Sequence, residues 1–576
     1  MIGAEIHPLF AVALHQMTQG GGLLQLIAQG KQDVFLTGNP QVTWFKMVYR
    51  RYTNFSIDQQ IIPFDSQPDF GRRITVQIPR KGDLLGPMWM EIKLPALYHS
   101  TETESVSKTV LQGSYIISGT PSGTRLNLTS YSGFPTTVAS IIYTGVDTPS
   151  DTSYYSVWDN GSPTLYPSGT TIVGVYDGSG ILITSGTVGT IAGFQMSASA
   201  NTAALTTGIN TIQFALTTTS QQPKRMSYTN ATAHALIQEI SIEIGEQEID
   251  KQTGEWMEIW SNYTVTQDKL QAWDNMIGKI AGMSSGNSTS YDTTPVGNGS
   301  LKGPLSLHVP LRFWFCKNPG LFLPLLALQY HPIRINITLR KLQDMFMPAT
   351  TTVLPCETTV KPASITSLVL YGDYIHLDTE ERRRFVANAH EYLIEQVQYS
   401  PTIAIDANAN YVQVPLEFNH PTRELYWFIQ RDRATQFNQW FNYTNLSLGE
   451  TIPLPLNGLD QQPPYVNQIL TALLRIDGFE RFDERTADYF RLVQPYQYHT
   501  NVPVGDYVYS YSFALRPEDI QPSGSMNASR LDSISLHLQM DNTVTPVRGN
   551  SSVRVYGLNH NVLRIVDGFG GILFRI

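Results

Sequence analysis

Apolar residues in this chain fall mostly at every second position, in runs of four to eight bounded by Gly, Pro, Asn and Ser. That period places side chains alternately on the two faces of a strand. Ile74, Val76 and Ile78 share one face, with Thr75 and Gln77 on the other; Met88, Met90, Ile92 and Leu94 repeat the pattern beyond a Lys81-Gly82-Asp83 turn. Ile240, Ile242 and Ile244 lead into Gly245-Glu246, a hairpin signal. Strands are predicted again at Ile333–Leu339 and Ile365–Leu377. In the last third they fall at Val412–Phe418, Glu424–Arg431, Ile469–Arg475, Tyr507–Ala514, Ser533–Met540, Val553–Leu558 and Asn561–Val566. An aromatic strand is expected over Val42, Trp44, Phe45, Val48 and Tyr49, and another before the turn Asn318-Pro319-Gly320.

Helical spacing is rare. Trp256, Ile259, Trp260 and Tyr263 form one apolar stripe and Leu270, Trp273 and Ile277 a second, with a break near Thr264–Thr266. Asp378 with Glu381 reads as a capping box, starting a helix over 379–393 with Phe385, Ala389 and Leu393 as its apolar face. The fold class is therefore all-β with a few short helices.

The chain of 576 residues is too long for one core. Residues 1–30 read as an N-terminal arm in which Gly20-Gly21-Gly22 breaks any helix. Residues 99–225 change character: Ser, Thr and Gly dominate and charges thin out, so this stretch is a β-rich surface insertion. Residues 31–378 without the insertion and residues 379–576 have similar lengths, each fitting one eight-stranded jelly roll. No sequence identity between the halves is visible by eye.

Composition narrows function. The net charge of −9 and the short basic clusters Arg50-Arg51, Arg72-Arg73 and Arg382-Arg383-Arg384 exclude a nucleic-acid-coating protein. No Walker-type phosphate loop, HExxH or His-x-His pair occurs, so no catalytic, metal or cofactor-binding residue is assigned and no cofactor is expected. Glu380-Glu381 and Glu246/Glu248 resemble carboxylate pairs, but a helix start and a hairpin turn explain them. Two thiols are favoured over one disulfide for Cys316 and Cys356, as in a protein made in the cytosol. The first residues do not read as a signal peptide, and no run of 18 apolar residues predicts a transmembrane helix. Among the Asn-x-Ser/Thr triplets, Asn127 and Asn160 are candidate glycan acceptors. Leu9, Phe10, Leu14, Leu23, Leu24 and Ile27 make the arm sticky. It either seals its own domain or contacts partners on the inner face of an assembly.

Six blocks carry a family resemblance: GGGLLQLIAQGKQDVFLTGNPQVTWFKMVYRRYTNFSIDQQ at 20–60, LRFWFCKNPGLFLPLLALQYH at 311–331, DYIHLDTEERRRFVANAHEYLIEQVQ at 373–398, GFERFDERTADYFRLVQPYQYHT at 478–500, YSYSFALRPEDIQPSGSMNASRLDS at 509–533 and VYGLNHNVLRIVDGFGGILF at 555–574. In order and spacing they resemble the major capsid proteins of nucleocytoplasmic large DNA viruses, across nearly the whole chain outside 99–225. The resemblance implies two consecutive eight-stranded antiparallel jelly rolls, a double jelly roll. It implies a structural protein, not an enzyme, that forms homotrimers with pseudo-hexameric outline. These capsomers tile the icosahedral outer capsid shell of a double-stranded DNA virus over an internal membrane. Implied partners are the chain itself, neighbouring capsomers, minor capsid proteins and that membrane, with assembly in the host cytoplasm and no sequence-specific nucleic-acid binding. The alternative from a different class is a carbohydrate-binding or glycoside-cleaving jelly-roll protein, its groove lined by Trp44, Trp89, Trp314 and Trp427.

Overall fold

The computed structural model describes residues 21–116, the strands lying within 139–198, and residues 211–280, 303–347, 354–445, 467–541 and 549–574. The chain separates into a unit ending at Phe55 and a second running from Ser56 to the C-terminus.

The described part of the first unit holds two short helices, α1 (Gly21–Ile27) and α2 (Lys31–Thr37). The expected break at Gly20–Gly22 is thus corrected: Gly21 and Gly22 are helical. Asp33 accepts from the Gly30 backbone N–H at 2.9 Å and so starts α2. Residues 41–54 form no strand, against the sequence expectation. Trp44 and Phe45 are almost fully exposed, and Val42, Val48 and Tyr49 are exposed as well. Alternation makes a strand only where a neighbouring strand takes its hydrogen bonds and a core takes one face.

The second unit begins with eight strands: β1 (Phe55–Ile62), β2 (Arg73–Gln77), β3 (Leu84–Leu94), β4 (Ile237–Ile244), β5 (Gln247–Thr253), β6 (Leu305–Pro310), β7 (Ile333–Leu339) and β8 (Ser367–Leu377). They form two antiparallel sheets, ordered β1-β8-β3-β6 and β2-β7-β4-β5. Eight principal strands follow, with the short strands Ile403–Ile405, Arg485–Thr486, Met526–Asn527 and Phe569–Ile572 paired beside them: β9 (His390–Tyr399), β10 (Tyr411–Pro415), β11 (Pro421–Arg431), β12 (Ile469–Ile476), β13 (Phe479–Glu480), β14 (Tyr509–Ser512), β15 (Ile534–Met540) and β16 (Ser551–Val566). Their sheets run β9-β16-β11-β14 and β10-β15-β12-β13. Adding eight to each label of the first pair of sheets gives the second pair. The fold is two consecutive jelly rolls of the same topology.

Alternating side chains fill each sandwich. Ile74, Val76, Met88, Met90, Ile92, Ile240, Ile242, Ile335 and Ile337 pack in the first. Leu425, Trp427, Ile429, Leu474, Leu536, Leu538, Val553 and Val555 pack in the second. The β4–β5 hairpin turns through Gly245 and Glu246, both at positive φ. A Cβ on Gly245 would stand 2.3 Å from the His331 ring, so only glycine fits there. The long connection from β3 to β4 is a hairpin of strands Leu97–Ile116 and Thr211–Tyr228, joined by Ala139–Val146, Thr171–Tyr176 and Ile181–Thr184.

Helices α3 (Gly254–Thr264) and α4 (Gln267–Ile277) break between Thr264 and Gln267. Helix α5 (Thr379–Ala387) links the barrels and is shorter than the sequence suggested. Residues expected to continue it, up to Leu393, instead open β9, and α5 buries none of its side chains. Pairing of His390–Tyr399 with β16 overrides the helical spacing of Phe385, Ala389 and Leu393. Asp378 caps α5 through the Thr379 N–H at 2.8 Å, so it is a simple N-cap and not the expected box. Trp314–Lys317, expected as strand, is a short helical turn leading to a 3-10 turn capped by Asn318. The two strands expected over 553–566 are one, β16.

Candidate functional site

Strand β11 is buried on both faces, which an ordinary sandwich strand is not. Leu425, Trp427 and Ile429 enter the core of the second barrel. Tyr426 and Phe428 face the other way and are equally buried, because α3 of the first barrel lies across them. Thr253 starts α3 by accepting from the Trp256 N–H at 3.2 Å, and its hydroxyl also meets the Tyr556 hydroxyl at 2.8 Å. Trp256, Ile259, Trp260 and Tyr263 then land on Tyr426, Phe428, Tyr556 and Leu558. The Trp256 and Tyr263 rings meet Tyr426 edge-on at 5.3 and 5.2 Å. Pairs of this geometry contribute about 0.5–1.5 kcal/mol each beyond the area they bury.

Two buried charge sets cross this seam, through Lys317–Glu395 and Glu255–Arg554, and two more lie within single barrels. Glu395 on β9 receives Arg423 at 2.7 Å and also Lys317, whose ammonium lies 4.5 Å from the Trp260 ring centre. Burial alone would raise the Glu395 carboxyl, but Lys317 and Arg423 outweigh it and hold it at about 2. Burial pushes Lys317 down, only partly offset by Glu395. Glu255 on α3 takes Arg554 of β16 and the Tyr556 hydroxyl. Glu258 binds His234 and Lys279, each at 2.7 Å; against its desolvation the Lys279 charge and the His234 hydrogen bond bring it down to about 2. His499 sits between Glu424 at 2.6 Å and Glu518 at 2.9 Å. Burial opposes its charge, yet the two carboxylates raise it to about 9.

A second contact comes from the stretch after β11. Asn438 Nδ2 donates to the carbonyls of Gln343 and Phe346 at 2.8 Å, Trp440 Nε1 donates to Asp344 O at 2.8 Å, and the Arg340 guanidinium lies 3.8 Å over the Trp440 ring. Phe441 joins the core of the first barrel. These carboxylates are spent on cations and hydroxyls inside the protein, so the seam is adhesive chemistry, not acid–base chemistry.

The sequence-nominated residues fall elsewhere. Leu9, Phe10, Leu14, Asn127 and Asn160 lie outside the described residues. Leu23, Leu24 and Ile27 are on α1, where Leu24 and Ile27 are exposed. Two other triplet asparagines, Asn262 and Asn442, are buried and hydrogen-bonded. Cys316 and Cys356 are free thiols. Among the described residues, no cluster of three or more His, Cys, Asp or Glu could hold a metal, and no helix is long and apolar enough to cross a membrane. Trp314 and Trp427 are core residues, not groove walls. The seam residues Glu395, Arg423, Lys317 and Tyr426 were not singled out by sequence reasoning. The available signal was the unalternating run Leu425–Ile429, the mark of a strand covered on both sides.

Two family models match the chain. "Major capsid protein N-terminus" covers residues 43–117 and 201–378, and "Large eukaryotic DNA virus major capsid protein" covers 381–571. The gap between the two matched pieces of the first falls within the β3–β4 connection. The chain is 30% identical to the major capsid protein of Chrysochromulina ericina virus, over 96% of this chain and all of the relative. It is 28% identical to that of Paramecium bursaria Chlorella virus 1, over 96% and 99%. Among solved structures, the PBCV-1 capsid quasi-atomic model matches with TM-score 0.56 at 24% identity, covering 93% of this chain and 100% of that one. The Faustovirus major capsid protein matches with TM-score 0.58 at 13% identity, covering 93% and 94%.

Proposed function

Because this chain belongs to the large eukaryotic DNA virus major capsid proteins, we propose that it builds the outer shell as homotrimeric capsomers of pseudo-hexameric outline. It is a structural protein of the virion capsid, not an enzyme. The observation that carries the trimer is the repetition of one topology in two barrels fixed side by side by a buried seam. Three such chains arranged around a threefold axis present six similar barrels, and a closed ring needs only one repeated contact.

The domain reading proposed with it is an arm over residues 1–30, a first jelly roll over 31–378 carrying the 99–225 insertion, and a second over 379–576. The exposed Leu24, Leu26 and Ile27 of α1 support an arm that contacts neighbouring capsomers, minor capsid proteins or an internal membrane on the inner side of the shell. Apolar side chains left exposed together are common at interaction sites. Assembly in the host cytoplasm fits two free thiols. Sedimentation of the purified chain tests the central claim: a species of three times 64.4 kDa is expected, and a chain that stays monomeric under assembly conditions refutes it.

A further inference from the structure

Inside the first barrel, one carboxylate oxygen touches both a lysine amine and an asparagine amide. Glu258 and Asn262 lie one turn apart on α3, so their side chains share a face. Lys279 follows α4, where Gly278 at φ 70° ends the helix and turns the chain back. Lys279 Nζ donates to Glu258 Oε1 at 2.7 Å and to Asn262 Oδ1 at 2.8 Å. Asn262 Nδ2 donates to the same Glu258 Oε1 at 3.4 Å. His234 Nδ1 holds the other oxygen, Oε2, at 2.7 Å. Among the described residues, no other lysine is hydrogen-bonded to both a carboxylate and a side-chain amide.

The group is closed off and fixed in place. The side chains of Glu258 and Lys279 are 3% and 9% exposed, and Asn262 is buried. The backbone is pinned on both sides. Asn501 Nδ2 donates to the Asn262 carbonyl at 2.9 Å, the Lys279 N–H to Asp274 O at 2.8 Å, and the Ile280 N–H to Asn230 Oδ1 at 2.8 Å. Reactants held against each other in productive geometry reach effective concentrations of about 10⁵–10⁸ M. Burial also keeps out the water that would compete for the amide carbon.

We propose that Lys279 and Asn262 join in an intramolecular amide bond, with Glu258 as the proton carrier. Glu258 Oε1 takes a proton from the Lys279 ammonium, and burial lowers the cost of this step because two charges become two neutral groups. The freed lone pair attacks Asn262 Cγ. The Nζ–Cγ bond forms and the Cγ–Nδ2 bond breaks. Of the three ammonium protons, one stays on the new amide nitrogen, one passes through Oε1 to Nδ2, which departs as ammonia, and one remains on Glu258. Nothing is oxidised or reduced, and no buried charge is left in the triad. The ion pair is the resting state: burial opposes the Lys279 charge, but Glu258 and Asp506 outweigh it and hold the ammonium above its usual range. The reaction is therefore slow, takes place once per chain, and is drawn forward by the loss of ammonia. Its product ties α3, the helix that closes the seam, to the chain beyond α4.

Peptide mass spectrometry of the purified full chain tests it. Trypsin is expected to release residues 252–269 joined to residues 270–302, with Lys279 uncut and the pair lighter than the two peptides together by one ammonia. Lys279→Arg keeps the charge without the attacking amine and should give unjoined peptides. Glu258→Gln removes the proton carrier and should do the same in chains that keep the wild-type near-ultraviolet circular dichroism. Wild-type peptides that are unjoined and at full mass overturn the bond, whether or not either variant folds. Asn262 recovered as aspartate shows that water, not Lys279, reached the amide, and overturns it too. A joined peptide that persists in Glu258→Gln overturns the role of Glu258.

Discussion

Glu395 shows how single residues decide the seam. It is buried with two cations, and removing one member of such a set leaves the rest uncompensated, at a cost of about 3–5 kcal/mol. Glu395→Gln should therefore lower unfolding free energy by about 3 kcal/mol in urea titrations at pH 7. The folded carboxyl titrates at about 2 against a usual value of 4.5. Its stabilisation is present above pH 4.5 and lost as pH falls towards 2, so the gap between wild type and variant should close over that window. His499 works in the opposite sense. Its folded value of about 9 lies above the usual 6.5, so its contribution is full below pH 6.5 and fades as pH rises through 9. Melting temperature should fall more steeply across that range in wild type than in His499→Gln; parallel curves would show that the imidazolium adds nothing. Neither residue stands out in the sequence, because a charge gains this weight only from partners such as Arg423 and Glu424 that the fold brings to it.

At the scale of elements, α3 does more than decorate a loop. Trp256 is almost wholly buried between two barrels, and truncating a buried Trp costs about 3–5 kcal/mol. Trp256→Ala should split the calorimetric transition, with the second barrel unfolding apart from the first; one unsplit, merely lowered transition would show that the barrels unfold together without α3. The stripe of α3 was legible from its spacing, and so were most strands, since alternation of Ile240, Ile242 and Ile244 needs only one covered face. Strand β9 was hidden behind α5, because Asp378, Phe385 and Leu393 satisfy helical spacing while the partner that makes 390–399 a strand lies some 165 residues away in sequence. The strand expected at Val42–Tyr49 failed for the converse reason: the pattern was there, and no strand among the described residues pairs with it.

For the whole molecule, the two-barrel class was legible from length and strand content, and the seam that fuses the barrels was not. The arm belongs to this scale as well. Deleting residues 1–19 should leave trimer mass and melting temperature nearly unchanged while shells fail to form, as seen by electron microscopy; a large fall in trimer stability would instead assign the arm to its own barrel. The seam also sets a schedule for synthesis. Thr253 and Tyr556 are 303 residues apart, and ribosomes add about 5–20 residues per second. For about 15–60 s the nascent first barrel holds Trp256, Trp260 and Tyr263 uncovered, until β11 and β16 emerge. In a cell making this protein in bulk, that interval favours the wrong pairing of one chain's helix with another chain's unfinished barrel. Yield should therefore depend on holdase capacity and translation speed more than on the stability of the finished molecule.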